Sequence, residues 1–236
     1  MTKTHMTKRD SRRAARGRQK LYTRIIAGGI ILVVLATAFW LVLSSQKGLP
    51  VDLQTPVAVI RIPELVGTKQ YSSAPSLLID VTKQYFAIVK MAKGGEFVIQ
   101  LFPDKAPTTV NSFIFLARQG YYDGVTFHRV LEGFMAQSGD PTGSGSGDPG
   151  YAFVNEANDL AFDKPGVVAM ANSGRDTNGS QFFIMFGPYG LSENDYTIFG
   201  QVIEGMDVVN AITLRDPNNN PDYPGDAIES LTITEK

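Results

Sequence analysis

No charged residue stands between Arg24 and Lys47, and no other feature of this 236-residue chain limits its architecture as strongly. As a helix, the nineteen residues from Ile25 to Leu43 would span about 28 Å, close to the roughly 30 Å hydrocarbon core of a bilayer. Trp40 falls toward the far end, where an amphipathic ring prefers the interface. Residues 1–24 carry nine Lys and Arg against Asp10 alone, a net +8, whereas the rest of the chain holds 13 basic and 22 acidic side chains, a net −9. Basic residues directly before an apolar span hold that end in the cytoplasm. The pattern predicts a basic cytoplasmic tail over 1–24, a transmembrane anchor over 25–44, and an extracytoplasmic remainder, as in a single-pass protein of a bacterial cell membrane.

Two readings compete with this one. The basic tract could bind nucleic acid, but its place against the span favours topology, and no nucleic-acid partner is expected. Ala36-Thr37-Ala38 has the look of a signal-peptide cleavage site, yet Phe39–Leu43 continues the apolar run beyond it, which favours a retained anchor.

Pro50, Pro56, Pro63 and Pro75 punctuate residues 45–84, which show no sustained helical period. This stretch reads as a tether, with a short extended piece at Val57–Ile62. From 85 to 236 the chain is strand-rich: Phe97–Phe102, Val125–Leu131, Val167–Met170, Gln181–Met185, Tyr196–Ile203 and Ile228–Thr234 are short β-prone runs bounded by Gly, Pro, Asn or Asp. Two segments have helical period. One follows Pro107, with Val110, Phe113, Ile114 and Ala117 on one face and Gly120 as its stop; the other covers Met206–Leu214. The expected fold is mainly β, a barrel with two helices, and about 150 residues suffice for a core without disulfides.

The chain has no cysteine and only His5 and His128, which removes thiol nucleophiles, thiolate metal sites and multi-histidine centres. Within Val125–Leu131, period-two alternation puts Arg129 on the same face as Val125, Phe127 and Leu131 and sends His128 to the other. A strand-end arginine snorkelling over apolar surface would explain this segment alone. Other segments add to it: Gly133-Phe134-Met135-Ala136-Gln137, Met170-Ala171-Asn172, and Thr177-Asn178-Gly179-Ser180-Gln181-Phe182-Phe183-Ile184.

In this order and spacing these motifs, with Phe127-His128-Arg129 and the later Phe199-Gly200 and Glu204-Gly205-Met206, resemble the cyclophilins over about residues 85–236, in a bacterial-like form with an N-terminal anchor. The resemblance implies an eight-stranded antiparallel barrel capped by two helices, and peptidyl-prolyl cis/trans isomerase activity on proline-containing polypeptides, with no cofactor and no metal. It implies Arg129 as the catalytic arginine and Phe134, Met135, Gln137, Ala171, Asn172, Gln181 and Phe183 as the substrate-binding residues. A noncatalytic, membrane-tethered module that binds proline peptides is the alternative.

The sequence departs from the family at Ser138, Ser173 and Tyr196, and in the loop Gly190–Tyr196, which lacks the tryptophan found in many members. Leu191 is the candidate for that wall of the site, so weak cyclosporin binding is expected. Gly145-Ser146-Gly147-Asp148-Pro149-Gly150 matches a dinucleotide-binding pattern in the wrong context and reads as a flexible surface loop. Asn178-Gly179-Ser180 matches a glycosylation acceptor but reads as structural, and His128 reads as a hydrogen-bonded structural histidine.

Overall fold

A computed structural model describes residues 65–67 and 69–236. The expected basic tail, transmembrane span and Val57–Ile62 extended piece, and most of the expected tether, lie outside the described residues. Among the described residues no helix is long and apolar enough to cross a membrane.

Eight antiparallel strands form one sheet, in the order β10-β3-β4-β9-β7-β8-β6-β5. They are β3 (Tyr85–Met91), β4 (Glu96–Leu101), β5 (Arg129–Leu131), β6 (Met135–Ser138), β7 (Val167–Met170), β8 (Phe182–Met185), β9 (Ile198–Glu204) and β10 (Ile228–Glu235). Two short strands precede them, β1 (Leu65–Gly67) and β2 (Gln70–Tyr71), paired with each other. The sheet curls into a half-barrel. Isolated bridges join Thr126 to Ala227, just ahead of β5 and β10, and Val130 of β5 to Arg215, where the barrel expectation would have a continuous ladder between the end strands.

Both faces of β7 and β8 are covered, and these two strands read as unbroken apolar runs. Ala136, Val168, Met170, Phe182 and Ile184 point into the main core, while Met135, Val167, Ala169, Phe183 and Met185 build a second cluster on the opposite face. The main core holds Phe113, Tyr122, Phe127, Phe182 and Phe199 and is closed by helix α1 (Pro107–Arg118).

Val110, Phe113, Ile114 and Ala117 are buried on α1 as their period predicts, and Asn111, Ser112, Phe115 and Leu116 are buried as well. The second covering comes from the segment before β3. Tyr71 sits edge-on to Phe115 at 5.0 Å, and Asn111 accepts from the Leu78 N–H and donates to the Ser76 carbonyl. The end of the expected tether, from Lys69 to Gln84, is therefore packed on the domain.

Three local expectations need correction. The Val125–Leu131 alternation slips at His128, whose carbonyl is held by the Arg215 guanidinium; Phe127 turns into the main core while Leu131 joins the opposite cluster. The second helix is α2 (Met206–Asn210) and stops before Leu214, because the Thr213 N–H donates to Asp226. His128 is buried, but neither of its ring nitrogens has a hydrogen-bond partner.

Candidate active site

Strand pairing gathers residues that are far apart in sequence. Arg129 of β5 lies opposite Gln137 of β6, Gln137 opposite Phe183 of β8, and Phe183 opposite Ala169 of β7. Directly opposed residues share a face, so this register alone brings Arg129, Gln137 and Phe183 into one row. Leu131 and Met135 are likewise paired in the next row. The turn between β5 and β6 passes through Gly133 at φ +66°, a left-handed conformation that costs glycine little, and the Phe134 N–H returns to the Leu131 carbonyl. This turn sets the Phe134 ring 5.8 Å from the Arg129 guanidinium.

The result is a cavity of about 150 Å³ lined by Arg129, Phe134, Met135, Gln137, Ala171, Asn172, Phe183, Leu191 and Tyr196. Its floor is apolar, with Met135 1% and Phe183 4% exposed. Tyr196 meets Phe183 edge-on at 5.6 Å, and Phe162 stacks behind Phe183 at 5.9 Å. Tyr189 lies over Phe134 at 4.2 Å. Arg129 has no carboxylate partner within the described residues; its Nη1 contacts Met135 Sδ at 3.8 Å and Gln137 Oε1 at 3.5 Å. Eight of the nine residues expected at the site line this cavity.

The ninth, Gln181, lines a larger neighbouring cavity of about 440 Å³ that shares Gln137, Ala171 and Asn172 with the first. A polar chain connects the two. Gln137 Nε2 donates to Gln181 Oε1 at 2.9 Å, and Gln181 Nε2 donates to the carbonyls of Gly145 and Gly147. The glycine-rich loop, expected to be a flexible surface segment, is thus a held wall of the larger cavity. Asp140 secures it from below: its buried carboxylate accepts from Thr142, from the Ser144 hydroxyl and from the Gly145 N–H. A Cβ on Gly147 would lie 2.0 Å from Asp140 Oδ1, so only glycine allows the loop to come this close.

The Asn172 side chain is tied to two neighbouring loop segments. Its amide donates to the Asp195 carbonyl at 2.8 Å and its oxygen accepts from the Gly174 N–H, which fastens the Leu191–Tyr196 loop. Asn178 is fully buried and bonded to Asn155, so its role is structural. Burial lowers the pKa of His128 and favours its neutral form. Among the described residues, no group of three or more His, Asp or Glu side chains is gathered to hold a metal ion. Tyr196, Phe162 and Tyr189 are the aromatic parts of the site absent from the residues expected there. Their loops follow no periodicity, and only the departure noted at Tyr196 pointed to one of them.

Residues 86–233 match the family described as cyclophilin type peptidyl-prolyl cis-trans isomerase. The chain belongs to that family. It is 47% identical over 161 residues to peptidyl-prolyl cis-trans isomerase A of Mycobacterium tuberculosis, covering 59% of this chain and 87% of that protein. It is 43% identical over 141 residues to mouse peptidyl-prolyl cis-trans isomerase-like 1, covering 58% of this chain and 84% of the other. Among solved structures, a cyclophilin-type isomerase of Cryptosporidium parvum aligns with TM-score 0.57 and 30% identity over 65% of this chain and 99% of that one. The same parasite protein in the presence of the dipeptide Ala-Pro aligns with TM-score 0.57 and 29% identity, over 64% and 99% of the two chains. This cyclophilin is a peptidyl-prolyl cis-trans isomerase. The segment Lys69–Gln84 lies outside the residues matched to the family.

Proposed function

We propose that this cyclophilin isomerises X-Pro bonds in extracytoplasmic polypeptides while anchored to the membrane through residues 25–44, with Arg129 as the catalytic group. The observation that carries the site assignment is a guanidinium with no carboxylate partner among the described residues, set beside a cavity whose floor is the buried Met135 and Phe183. Rotation about a peptide bond faces a barrier of about 18–20 kcal/mol, because the nitrogen lone pair is delocalised into the carbonyl. As the bond twists, that nitrogen becomes pyramidal and a better acceptor. A fixed donor such as Arg129 then binds the twisted state more tightly than either planar state, which lowers the barrier.

The other residues divide the work of holding the peptide. Phe134, Met135 and Phe183 take the proline ring, and Leu191 and Tyr196 complete the apolar wall. Gln137 holds the Arg129 side of the cavity through its contacts with Arg129 and Gln181. Because the Asn172 side chain is committed to Asp195 and Gly174, its contribution to the peptide falls to its main-chain groups. The larger cavity receives client residues flanking the proline. The experiment is a comparison of the full chain with Arg129→Ala on a proline peptide: loss of turnover with peptide binding retained supports the assignment, and equal rates overturn it.

A further inference from the structure

Tyr71 lies outside both cavities and outside the residues matched to the family, yet it is joined to the wall of the larger one. Its N–H donates to the Pro149 carbonyl at 2.8 Å. Tyr71 is 6% exposed, and its ring packs edge-on to Phe115 of α1. Gly150, at φ +88°, comes so close to this strand that a Cβ would stand 2.5 Å from the Tyr71 carbonyl oxygen. The loop and the strand are fitted to each other at main-chain distance.

Each end of this contact is tied to rigid structure. Lys69 Nζ donates to the carbonyls of Tyr121 and Asp123, both at 2.7 Å, beyond the end of α1. On the loop side, the Tyr151 hydroxyl meets Ser112 Oγ of α1 at 2.9 Å. Pro149 is buried, and a Cβ on Gly179, which lines the facing side of the cavity, would come within 3.1 Å of its ring. Gln181 holds Gly145 and Gly147 from inside the cavity, and Tyr71 holds Pro149 from outside.

We propose that Lys69–Tyr71 is a clasp and Tyr71 a positioning residue: by fixing Asp148–Gly150, Tyr71 sets the width of the larger cavity and hence the affinity for client residues beside the proline. The proposal rests on the reading above that this cavity takes those residues. Tyr71 touches no reacting atom, so its effect belongs in KM for long clients. The chemical step at Arg129 is left alone.

The test uses the full chain, two substrates and hydrogen exchange. One substrate is a minimal blocked Ala-Pro peptide, and the other carries several further residues on each side of the same Ala-Pro. Tyr71→Ala is expected to raise KM for the extended peptide about tenfold, with kcat and the minimal peptide changed less than about twofold. Amide exchange at Gly147–Tyr151 should accelerate while β4 and β7 stay protected, and Tyr71→Phe should restore both readouts. Should loss of protection in β4 and β7 show that Tyr71→Ala has unfolded the domain, the surface change Lys69→Met decides, with an expected rise of about threefold in KM for the extended peptide alone. Equal loss on both peptides, an unchanged KM for the extended one, or unaltered exchange at Gly147–Tyr151 in the deciding variant overturns the clasp. Arg129→Ala separates this from the underlying reading, since it should abolish turnover of both peptides without altering exchange in the loop. If Arg129→Ala were fully active the catalytic reading would fail, and the exchange result would still decide the clasp.

Discussion

Arg129 and Gln137 are directly opposed across β5 and β6, yet Nη1 stands 3.5 Å from Oε1, at the outer limit of a hydrogen bond. A well-made pair would spend the guanidinium on its neighbour. In the mechanism proposed above, the loose one leaves its donors available to a nitrogen that accepts strongly only when the peptide bond is twisted.

The consequence is a kinetic signature at Arg129. Arg129→Ala should lower kcat/KM on the order of a hundredfold, by analogy with removal of one transition-state donor, while peptide Kd moves less than about threefold. Arg129→Lys should recover only part of the rate, because a point charge lacks the planar fork. Exchange spectroscopy on a proline peptide, with binding measured separately, distinguishes this from a binding defect.

Gln137 and Phe183 were legible only through the family resemblance of the motifs that carry them; that β6 and β8 set them side by side needed the structure. Val167–Met170 was legible as a strand because both its faces are apolar. Strand β6 itself, Met-Ala-Gln-Ser, carries little β propensity and is held in the sheet by pairing with β5 and β8. The packing of Tyr71 was not legible either. It depends on Gly150 and Phe115, which are distant in sequence, and Pro75 beside it suggests only an interrupted chain. Gln181 was recognised as a site residue, but its hold on Gly145 and Gly147 needed the loop in place.

Helix α1 begins at Ala106, which has no side chain to cap it. Glu156 does this from a distant loop: its carboxylate accepts from the N–H groups of Thr108 and Thr109 and from the Thr109 hydroxyl. Removing it leaves helix-end donors unpaired, so Glu156→Ala should cost about 1–2 kcal/mol, and Glu156→Gln about half of that. Urea unfolding reads the cost directly. Unchanged midpoints in both variants would show that the cap is energetically idle.

Acid should act through Asp140. Burial pushes its pKa up, but hydrogen bonds from Thr142, Gly147 and Gly145 outweigh this and leave it below the ordinary 3.8. With the folded value below the unfolded one, its stabilisation is complete above pH 3.8 and is lost as pH falls through the folded value. Asp140→Asn should be less stable at neutral pH by about 1–3 kcal/mol and should show a shallower acid limb. Denaturant titrations across that range check both. Parallel stability curves for parent and variant would remove Asp140 from the acid response.

The charge split before the apolar run carries a topological prediction. Protease added to intact cells should cut between residue 44 and Lys69 and release the domain, whose packed segment begins at Lys69. The N-terminal tail should stay protected until the membrane is opened. A domain that is protected in intact cells and released only after lysis would reverse the orientation.

Cyclosporin sensitivity turns on the wall at Leu191. Sensitive cyclophilins hold the drug partly through a loop tryptophan that both packs on it and donates a hydrogen bond; here Trp40 is the sole tryptophan and lies in the proposed anchor. Leu191 lines the small cavity and offers apolar contact without a donor. An acceptor left unpaired in a buried interface costs about 1–3 kcal/mol, or roughly ten- to a hundredfold in affinity. The enzyme should therefore be active and weakly inhibited. Phe134, Met135 and Phe183 reach the cavity from β6, β8 and the turn before β6, whereas Leu191 comes from a separate loop fastened by Asn172. Leu191→Trp should accordingly tighten the drug more than it changes isomerisation. Inhibition of the parent enzyme at nanomolar cyclosporin would show that the Leu191–Tyr196 loop supplies the missing donor in another way.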